Sequence, residues 1–569
     1  MKTWIREHIA LLSTLITYLV LFLPFLGQVH LFDWDEINFA EAAREMVVSG
    51  DWINVQINFE PFWEKPPLFI WLQAICMNLF GVNEFAARFP NVVIGFITLL
   101  ALYFPVLKQY GKRAAIFTLL LYLGSFTPHF YFKSGIIDPL FNLFMYVSVL
   151  YLVYASQKRT HKNFLRAGLF LGLAVLTKGP AALLLVGLTG LCFQLVYKVH
   201  FYRFSNIVVL VTGILIIPTL YFGIQVYKNG WWFLQEFLVY QVDLFKNPVA
   251  SHGQPFYYHF VVLLIACFPL FILSFGSMLS KRPVRGDITF YRWMKVLFWV
   301  VLVVFSLVTT KIVHYSSMCY IPLAIVGGVK LAEYIVLSRL TKLSLAVVGS
   351  LWVIVLVAAG SFALPLTNGP LVLLKKRVQD EFVQAQLATE TVWTIVPIAL
   401  AVLLAVSLVR FLGKPILSSL ASLLVTNTLV IAILMISFVP KVEQVVQGNW
   451  IQQLEHYQGK EMAHFTRGFK SYAHHYYTHQ QDLDSLRIAK EHVLKQLGSQ
   501  SPYNMDEDDR KIFANAVREY VIDSTTIPLS LSAKLNKFDE VDKRYPNLTR
   551  VFEGNGYGVW ERSSAAHIE

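Results

Sequence analysis

A succession of long apolar runs fills the first ~440 of the 569 residues. A helix needs about 20 mostly apolar residues to cross the hydrocarbon core of a bilayer. The chain is 56% hydrophobic and 15% charged, with a mean hydropathy of +0.53, whereas soluble domains carry about 25% charged residues. This pattern predicts a mostly α-helical, polytopic membrane protein. It excludes a disordered chain, a collagen, a coiled coil and a disulfide-rich secreted scaffold.

Thirteen of the runs are long enough to be predicted as membrane spans. The predicted spans are 9–29, 88–107, 114–130, 137–156, 164–177, 180–197, 205–223, 257–279, 293–310, 316–337, 343–365, 391–411 and 415–439. A further apolar stretch, 67–80, would reach only about 21 Å as a helix. It is predicted to be interfacial or re-entrant.

Basic residues occur in every second loop, which predicts the orientation. With a cytoplasmic N-terminus carrying Lys2 and Arg6, the loops near 110, 162, 200, 285, 340 and 412 are basic, as the positive-inside rule requires. The first run has no small-residue cleavage site, so it is predicted to be a retained span. The expected location is a bacterial inner membrane.

The net charge of +12 does not indicate nucleic-acid binding. Residues 441–569 hold 16 basic and 18 acidic residues, so the excess belongs to the membrane part. The four cysteines lie far apart in apolar runs and are interpreted as small buried side chains. They are Cys76, Cys192, Cys267 and Cys319.

Two parts are predicted: a membrane domain over 1–440 and an extracytoplasmic, periplasmic α/β domain over 441–569. The long outer loops are 31–87, 224–256 and 366–390. In the outer domain, 508–519 and 533–543 are amphipathic, Phe469–Tyr477 and Val517–Ile522 are strand-like, and Gly554-Asn555-Gly556 predicts a hairpin. His474, His475 and His479 are interpreted as a surface feature.

Half of the acidic residues of the membrane part fall in the first outer loop. They are Asp33, Asp35, Glu36, Glu41, Glu45, Asp51, Glu60, Glu64 and Glu84. Carboxylates at the edge of a bilayer are costly and are usually paired or functional. A solvated acidic loop is the alternative. The position beside Lys65 and many aromatic residues favours a site.

A series of motifs runs through the first outer loop: Asp35-Glu36 through Phe39-Ala40-Glu41 and Arg44-Glu45-Met46, Gly50-Asp51-Trp52, Trp63-Glu64-Lys65-Pro66-Pro67, and Phe80-Gly81 to Arg88. In these motifs the loop resembles that of the aminoarabinose transferases, which are GT-C glycosyltransferases and relatives of the protein O-mannosyltransferases. The resemblance is dense over 33–90 and looser elsewhere. It implies a GT-C fold with about thirteen spans and a small outer domain.

The resemblance also implies inverting transfer of a sugar from a polyprenyl phosphate on the outer face. A hydroxyl acceptor needs a base, and Asp35 matches the family's catalytic aspartate. Asp138 matches a second acidic position, and Glu36 is a further catalytic candidate. Helix N-capping is the alternative role for both aspartates.

The departing lipid phosphate requires cations at the outer interface. The candidates for phosphate binding are Lys65, Lys178 and Lys311, with His314 and Tyr315 in the motif that follows Lys311. A lone interfacial lysine is often only a snorkelling anchor, which is the alternative for each of them.

The one cofactor that the resemblance implies is a divalent metal, zinc. Glu64 and His252 match two positions at which the aminoarabinose transferases hold a metal, and both side chains are acceptable zinc ligands. A hydrogen bond between the two side chains is the alternative. Two ligands alone make a poor site.

The chain departs from the family at Asn38 and Phe39, where the aminoarabinose transferases have Arg and Tyr. The sugar and the acceptor are therefore not implied. The expected partners are a polyprenyl-phosphate-linked sugar, a lipid or envelope glycan acceptor and the bilayer, with a monomeric enzyme. The alternatives are a protein O-mannosyltransferase-like enzyme, a transporter or flippase of lipid-linked sugars, and an idle scaffold.

Overall fold

A computed structural model describes residues 2–33, 35–200, 202–246, 253–282, 284–335, 337–362, 392–499, 505 and 507–562. The predicted outer loop 366–390 lies outside these residues. The membrane part contains α1 (Lys2–Phe22), α2 (Asp35–Ser49), β1 (Gln56–Ile57), β2 (Glu60–Pro61), α3 (Leu68–Phe80), α4 (Glu84–Tyr110), α5 (Lys112–Leu123), α6 (Phe126–Tyr131), α7 (Asp138–Gln157), α8 (His161–Lys178), α9 (Ala181–Tyr197), α10 (Phe204–Asn229), α11 (Trp232–Lys246), α12 (Tyr258–Ala266), α13 (Leu270–Leu279), α14 (Ile288–Leu307), a 3-10 helix (Val313–Cys319), α15 (Tyr320–Glu333), α16 (Arg339–Phe362), α17 (Val392–Gly413) and α18 (Leu417–Ser437).

Every predicted span overlaps at least one of these helices. Within the described residues, eight helical stretches are long and apolar enough to cross a membrane. The number thirteen stays a prediction. The short stretch 67–80 forms α3, whose 13 residues are fewer than a bilayer crossing needs.

Two predicted spans are broken into shorter helices. The run 114–130 divides at Gly124 into α5 and α6, and a Cβ there would lie 2.9 Å from the carbonyl oxygen of Leu424 on α18. The close approach of α18 therefore requires glycine. The run 257–279 divides before α13 at Pro269, whose nitrogen cannot donate a helical hydrogen bond.

The acidic face of α2 is buried and paired. Arg44 donates two hydrogen bonds of 2.7 Å to the carboxylate of Glu41. The carboxylate of Glu45 accepts hydrogen bonds from the backbone of Asn58 and Phe59, two residues with left-handed φ angles of +58° and +55°. Glu41 and Glu45 are therefore structural, and the loop is not simply a solvated run of charge.

The outer domain is built around a four-stranded sheet whose strands are, in spatial order, β3 (Ala463–Arg467), β4 (Leu529–Lys534), β6 (Tyr557–Arg562) and β5 (Thr549–Gly554). Its first pair is parallel and the others are antiparallel. The predicted hairpin forms at Asn555-Gly556, between β5 and β6. The elements are α19 (Val439–Glu443), a π-helix (Gln444–Gly448), α20 (Asn449–Glu455), β3 (Ala463–Arg467), α21 (Ala473–Thr478), α22 (Asp484–Gln496), α23 (Glu507–Ser524), β4 (Leu529–Lys534), a 3-10 helix (Leu535–Lys537), α24 (Phe538–Arg544), β5 (Thr549–Gly554) and β6 (Tyr557–Arg562).

The two strand-like segments of this domain were predicted wrongly. Residues 517–522 lie in α23, where Phe513, Val517 and Val521 are buried at a spacing of four, which is helical periodicity. Part of 469–477 forms α21. A short window shows apolar alternation in both segments, but the longer pattern is helical.

The histidines of α21 are not a surface feature. His474 and His475 are buried, and their rings lie 3.9 Å apart. The hydroxyl of Tyr477 on the same helix accepts a 2.6 Å hydrogen bond from the backbone of Leu31 in the first outer loop. Because α21 lies between the sheet and that loop, its polar residues are enclosed.

Candidate functional site

A cavity of about 770 Å³ lies where the first outer loop, the outer ends of the spans and the outer domain meet. Its apolar lining includes Phe25, Leu26, Phe305, Met435 and Val439. The cavity is therefore suited to an amphiphile, with charged groups beside an apolar wall. Its charged lining residues are Asp33, Asp35, Glu36, Glu64, Lys65, Arg88, Lys133, Asp138, Lys178, Lys470 and Lys511.

Asp35 is the first residue of α2 and is half-buried on the cavity wall. The N-terminus of a helix carries partial positive charge, which stabilises a carboxylate there. Asp138, Lys65 and Tyr315 line the same cavity as Asp35. The structure thus places four residues predicted from the sequence on the wall of one cavity.

Asp138 forms an ion pair with Lys178 at 2.6 Å. Asp138 begins α7, is 1% exposed, and its second carboxylate oxygen has no hydrogen-bond partner among the described residues. Lys178 ends α8, and its ammonium lies 5.4 Å from the ring centroid of Tyr315. The C-terminal end of α8 therefore places a cation on the cavity wall.

Glu36 is held by a buried clamp. Its carboxylate accepts two 3.0 Å hydrogen bonds from Arg88, one from the backbone of Phe32, and one from the backbone of Gly135. Burial opposes the ionisation of Glu36, but Arg88 and the backbone donors outweigh it and lower the pKa of the carboxyl. This geometry favours a positioning role, because it joins the segment before Asp35 to the segment before Asp138.

Glu64 and Lys65 lie beside Tyr240 of α11. The ammonium of Lys65 lies 5.0 Å from the centroid of the Tyr240 ring, and the Tyr240 hydroxyl donates a 3.2 Å hydrogen bond to Glu64. Lys470 of the outer domain forms an ion pair of 3.9 Å with Glu64. The outer domain thus reaches the same motif.

The remaining predicted residues are placed differently. His314 lines the cavity, and its ring nitrogen lies 3.0 Å from the Tyr131 hydroxyl. Lys311 is buried and donates a 2.6 Å hydrogen bond to the carbonyl of Val308, and it is absent from the described cavity lining. The structure therefore does not bring Lys311 to the other phosphate candidates.

The metal prediction involves a residue that the structure does not describe. His252 lies outside the described residues, and Glu64 already contacts Tyr240 and Lys470. Among the described residues, no group of three or more His, Cys, Asp or Glu side chains could hold a metal ion. Of the two predicted metal ligands, the described residues therefore include Glu64 alone.

Several residues of the cavity were not predicted as site residues from the sequence. Arg88 was noted only as the end of a motif, and Tyr240, Lys470 and Lys511 gave no local signal. Lys133 did offer one, because it lies in a short outer loop where the positive-inside rule predicts few basic residues.

The family profile that matches the chain is that of the dolichyl-phosphate-mannose-protein mannosyltransferases, over residues 64–232. The undecaprenyl phosphate-α-4-amino-4-deoxy-L-arabinose arabinosyl transferase of Edwardsiella ictaluri is 28% identical over 300 residues, which are 51% of this chain and 54% of that protein. Its counterpart from Shewanella sediminis is 28% identical over 317 residues, 54% and 57% of the two chains. The chain thus spans about half the length of the relatives it matches.

The fold extends further than the sequence similarity. The crystal structure of ArnT from Cupriavidus metallidurans bound to undecaprenyl phosphate matches with a TM-score of 0.74, at 17% identity, over 98% of both chains. Its apo structure matches equally well, at 18% identity. The chain therefore has the GT-C glycosyltransferase fold, and the predicted resemblance to the aminoarabinose transferases and the protein mannosyltransferases is confirmed.

Proposed function

We propose that the protein is an inverting glycosyltransferase that moves a sugar from a polyprenyl phosphate to a lipid or other envelope acceptor. The observation that carries this proposal is that Asp35, Asp138, Lys65 and Lys178 line one cavity together with apolar residues. Carboxylates, cations and an apolar wall are what a lipid-borne sugar phosphate requires. The relatives are named for transfer from undecaprenyl phosphate, which supports this class of donor.

In the proposed reaction, an acceptor oxygen attacks the anomeric carbon opposite the phosphate. Asp35 takes the acceptor's proton as the new glycosidic bond forms, and the bond between sugar carbon and phosphate oxygen breaks. Lys65 and Lys178 then stabilise the leaving phosphate. Attack from the opposite face inverts the anomeric configuration.

The proposed location follows the predicted orientation. The N-terminus is cytoplasmic, and the cavity and the outer domain face the periplasm of a bacterial inner membrane. The enzyme is proposed to act as a monomer. A divalent cation at Glu64 and His252 stays a prediction, and no step above uses it.

A protein acceptor is the second candidate, because the matching family profile is that of protein mannosyltransferases. A transporter is less well supported. The buried ion pairs of the described spans lie near helix ends, as with Asp138–Lys178 and Lys330–Glu333. A transporter would place such groups near the middle of the bilayer.

Substitution of Asp35 tests the proposal. Purified protein in nanodiscs is incubated with radiolabelled undecaprenyl-phosphate sugars, and transfer to added lipid or peptide acceptors is measured. Asp35→Asn is expected to lower kcat about 10²–10⁴-fold, the usual contribution of a general base.

Asp51→Asn is the matched control. Asp51 belongs to the same loop but accepts hydrogen bonds from Ile53 and Asn54 away from the cavity lining. It is expected to retain full transfer. Full activity of Asp35→Asn would remove that carboxylate from the mechanism.

A further inference from the structure

His30 joins the first outer loop to the helical linker 439–455 that enters the outer domain. Its Nδ1 atom lies 2.9 Å from a carboxylate oxygen of Glu443, and its Nε2 atom lies 3.8 Å from one of Glu455. Glu443 ends α19 and Glu455 ends α20, on either side of the π-helix. The side chain of Glu443 is 6% exposed and that of His30 is 20% exposed. The proposed reaction uses none of these three side chains.

The surroundings of His30 favour its protonated form. Among the described residues, titratable or charged groups from four helices face it. They are Glu84 and Arg88 of α4, Glu443 of α19, Glu455 of α20 and Tyr477 of α21. Burial opposes the charged form of His30, but the hydrogen bond to Glu443 and the three carboxylate charges outweigh burial and raise the pKa of the imidazole.

The backbone that follows His30 leads directly to the candidate base. Leu31, the next residue, donates its N–H to a tyrosine hydroxyl of α21, and its carbonyl accepts a 3.0 Å hydrogen bond from Gln447 of the π-helix. Asp35 begins α2 shortly afterwards. The loop and the linker both line the cavity, the linker through Val439. The contact at His30 therefore joins two walls of the cavity close to Asp35.

We propose that protonated His30 is a positioning residue, which binds Glu443 and Glu455 and thereby holds Asp35 in place on the cavity wall. This inference rests on the proposed function. A neutral imidazole can still donate one hydrogen bond to Glu443, but it loses the attraction to the carboxylates.

The raised pKa of His30 gives the direction of the pH dependence. The contact favours the protonated ring, so its contribution is fully present below the ordinary histidine pKa of about 6.5. That contribution is lost as the pH rises through the raised pKa of His30. Sugar transfer is therefore expected to weaken on the alkaline side.

The test compares sugar transfer by the wild type and by His30→Arg between about pH 6 and pH 9. Both full chains are placed in nanodiscs with radiolabelled undecaprenyl-phosphate sugars. Arginine stays charged over this range. The ratio of the wild-type rate to the His30→Arg rate removes titrations that both proteins share, such as that of Lys133 on the cavity wall, whose pKa burial lowers to about 8. This ratio is expected to fall at least about fivefold as the pH rises, the lower end of the coupling between linked sites.

His30→Asn keeps a neutral donor for Glu443 but removes the charge. Its rate is expected to stay at least about fivefold below that of His30→Arg at every pH. His456→Asn is the matched control, because His456 is exposed beside Glu455 and its ring contacts the carbonyl of Gln452 on its own helix. It is expected to reproduce the wild-type profile.

Thermal unfolding tests the contact without the reaction. At about pH 6, His30→Asn and Glu443→Gln are each expected to lower the unfolding midpoint. The double variant is expected to lower it by less than the sum, because both changes remove the same interaction. The difference from additivity should shrink at about pH 9, where His30 is neutral.

Two results would overturn the assignment: a rate ratio that does not change with pH, or additive shifts of the unfolding midpoint at the acidic pH. Failure of the proposed function is distinguishable. It appears as absent sugar transfer by the wild type at every pH, while the coupling between His30 and Glu443 in unfolding would persist.

Discussion

The charged residues of the cavity differ chiefly in what neutralises them. Glu36 is enclosed by Arg88 and two backbone N–H groups, whereas Asp138 pairs with Lys178 and keeps one carboxylate oxygen without a hydrogen-bond partner in the described structure. A carboxylate whose oxygens both accept hydrogen bonds from the protein holds its neighbours in place. A carboxylate with one oxygen left without a donor can accept a hydrogen bond from a ligand. Burial and hydrogen-bond partners thus distinguish the roles of carboxylates that look alike in the sequence.

Glu36→Gln tests the positioning role at the residue scale. The change leaves the guanidinium of Arg88 buried without its counter-charge, which is expected to destabilise the protein by about 3–5 kcal/mol. Thermal unfolding of the purified protein measures the effect, and sugar transfer should fall with it. Glu553→Gln, which breaks the exposed pair with Arg550, should change neither. An unaltered unfolding midpoint for Glu36→Gln would show that the clamp is dispensable.

At the scale of elements, helix ends place the functional groups. Asp35 and Asp138 begin α2 and α7, and Lys178 ends α8. Gly179 follows with a φ of +102°, and a Cβ there would lie 3.0 Å from the side-chain oxygen of Gln241. The turn requires glycine both for its backbone conformation and for the approach of α11.

Gly179→Ala is expected to strain the turn that carries Lys178. Gly179 has a φ of +102° and a ψ of −168°, a backbone conformation that essentially only glycine adopts and that costs another residue about 1–3 kcal/mol. The displaced ammonium should also weaken the ion pair with Asp138. Unfolding midpoints and transfer rates should both fall. Gly187→Ala in α9 is the matched control: among the described residues, no atom beyond its own stretch of helix lies within 4 Å of where a Cβ would stand. Because its backbone is also helical, the change should be neutral or stabilising. Equal behaviour of the two variants would contradict the strain argument.

At the scale of the whole molecule, the outer domain and the first outer loop share one core. Ile37 and Phe39 of the loop pack in the same hydrophobic cluster as Trp450 and Tyr476. At the edge of this core, Lys490 forms an ion pair of 2.8 Å with Glu60. The outer domain therefore helps to hold the first outer loop in place beside the cavity. The predicted domain boundary near residue 440 stays a prediction.

Topology labelling tests the predicted orientation of the whole molecule. In a background without the four native cysteines, Lys495→Cys on the outer domain should react with a membrane-impermeant maleimide on intact cells. Lys158→Cys, in a predicted cytoplasmic loop, should react only after permeabilisation. Both lysines are exposed, so access is set by the membrane. The reverse labelling pattern would place the cavity on the wrong face for the proposed reaction.

How much the sequence predicts depends on the range of the interaction. The resemblance over 33–90 identified Asp35, Glu64 and Lys65, and the structure places these side chains on one cavity together with Asp138 and Lys178. Local patterns did not predict Lys470 and Lys511, which reach the cavity from more than 400 residues along the chain. They also placed Lys311 beside the phosphate candidates, although its side chain is buried against Val308.

By itself, the sequence determined that this chain is a helical membrane protein with an acidic first outer loop and a hairpin near its end, because hydropathy and turn residues act over short distances. Only the tertiary structure decided which charges are satisfied. Glu36 meets Arg88 and Gly135 across 52 and 99 residues, while Lys133 meets no described carboxylate. Such pairing depends on how distant segments pack, and no local pattern of residues encodes it.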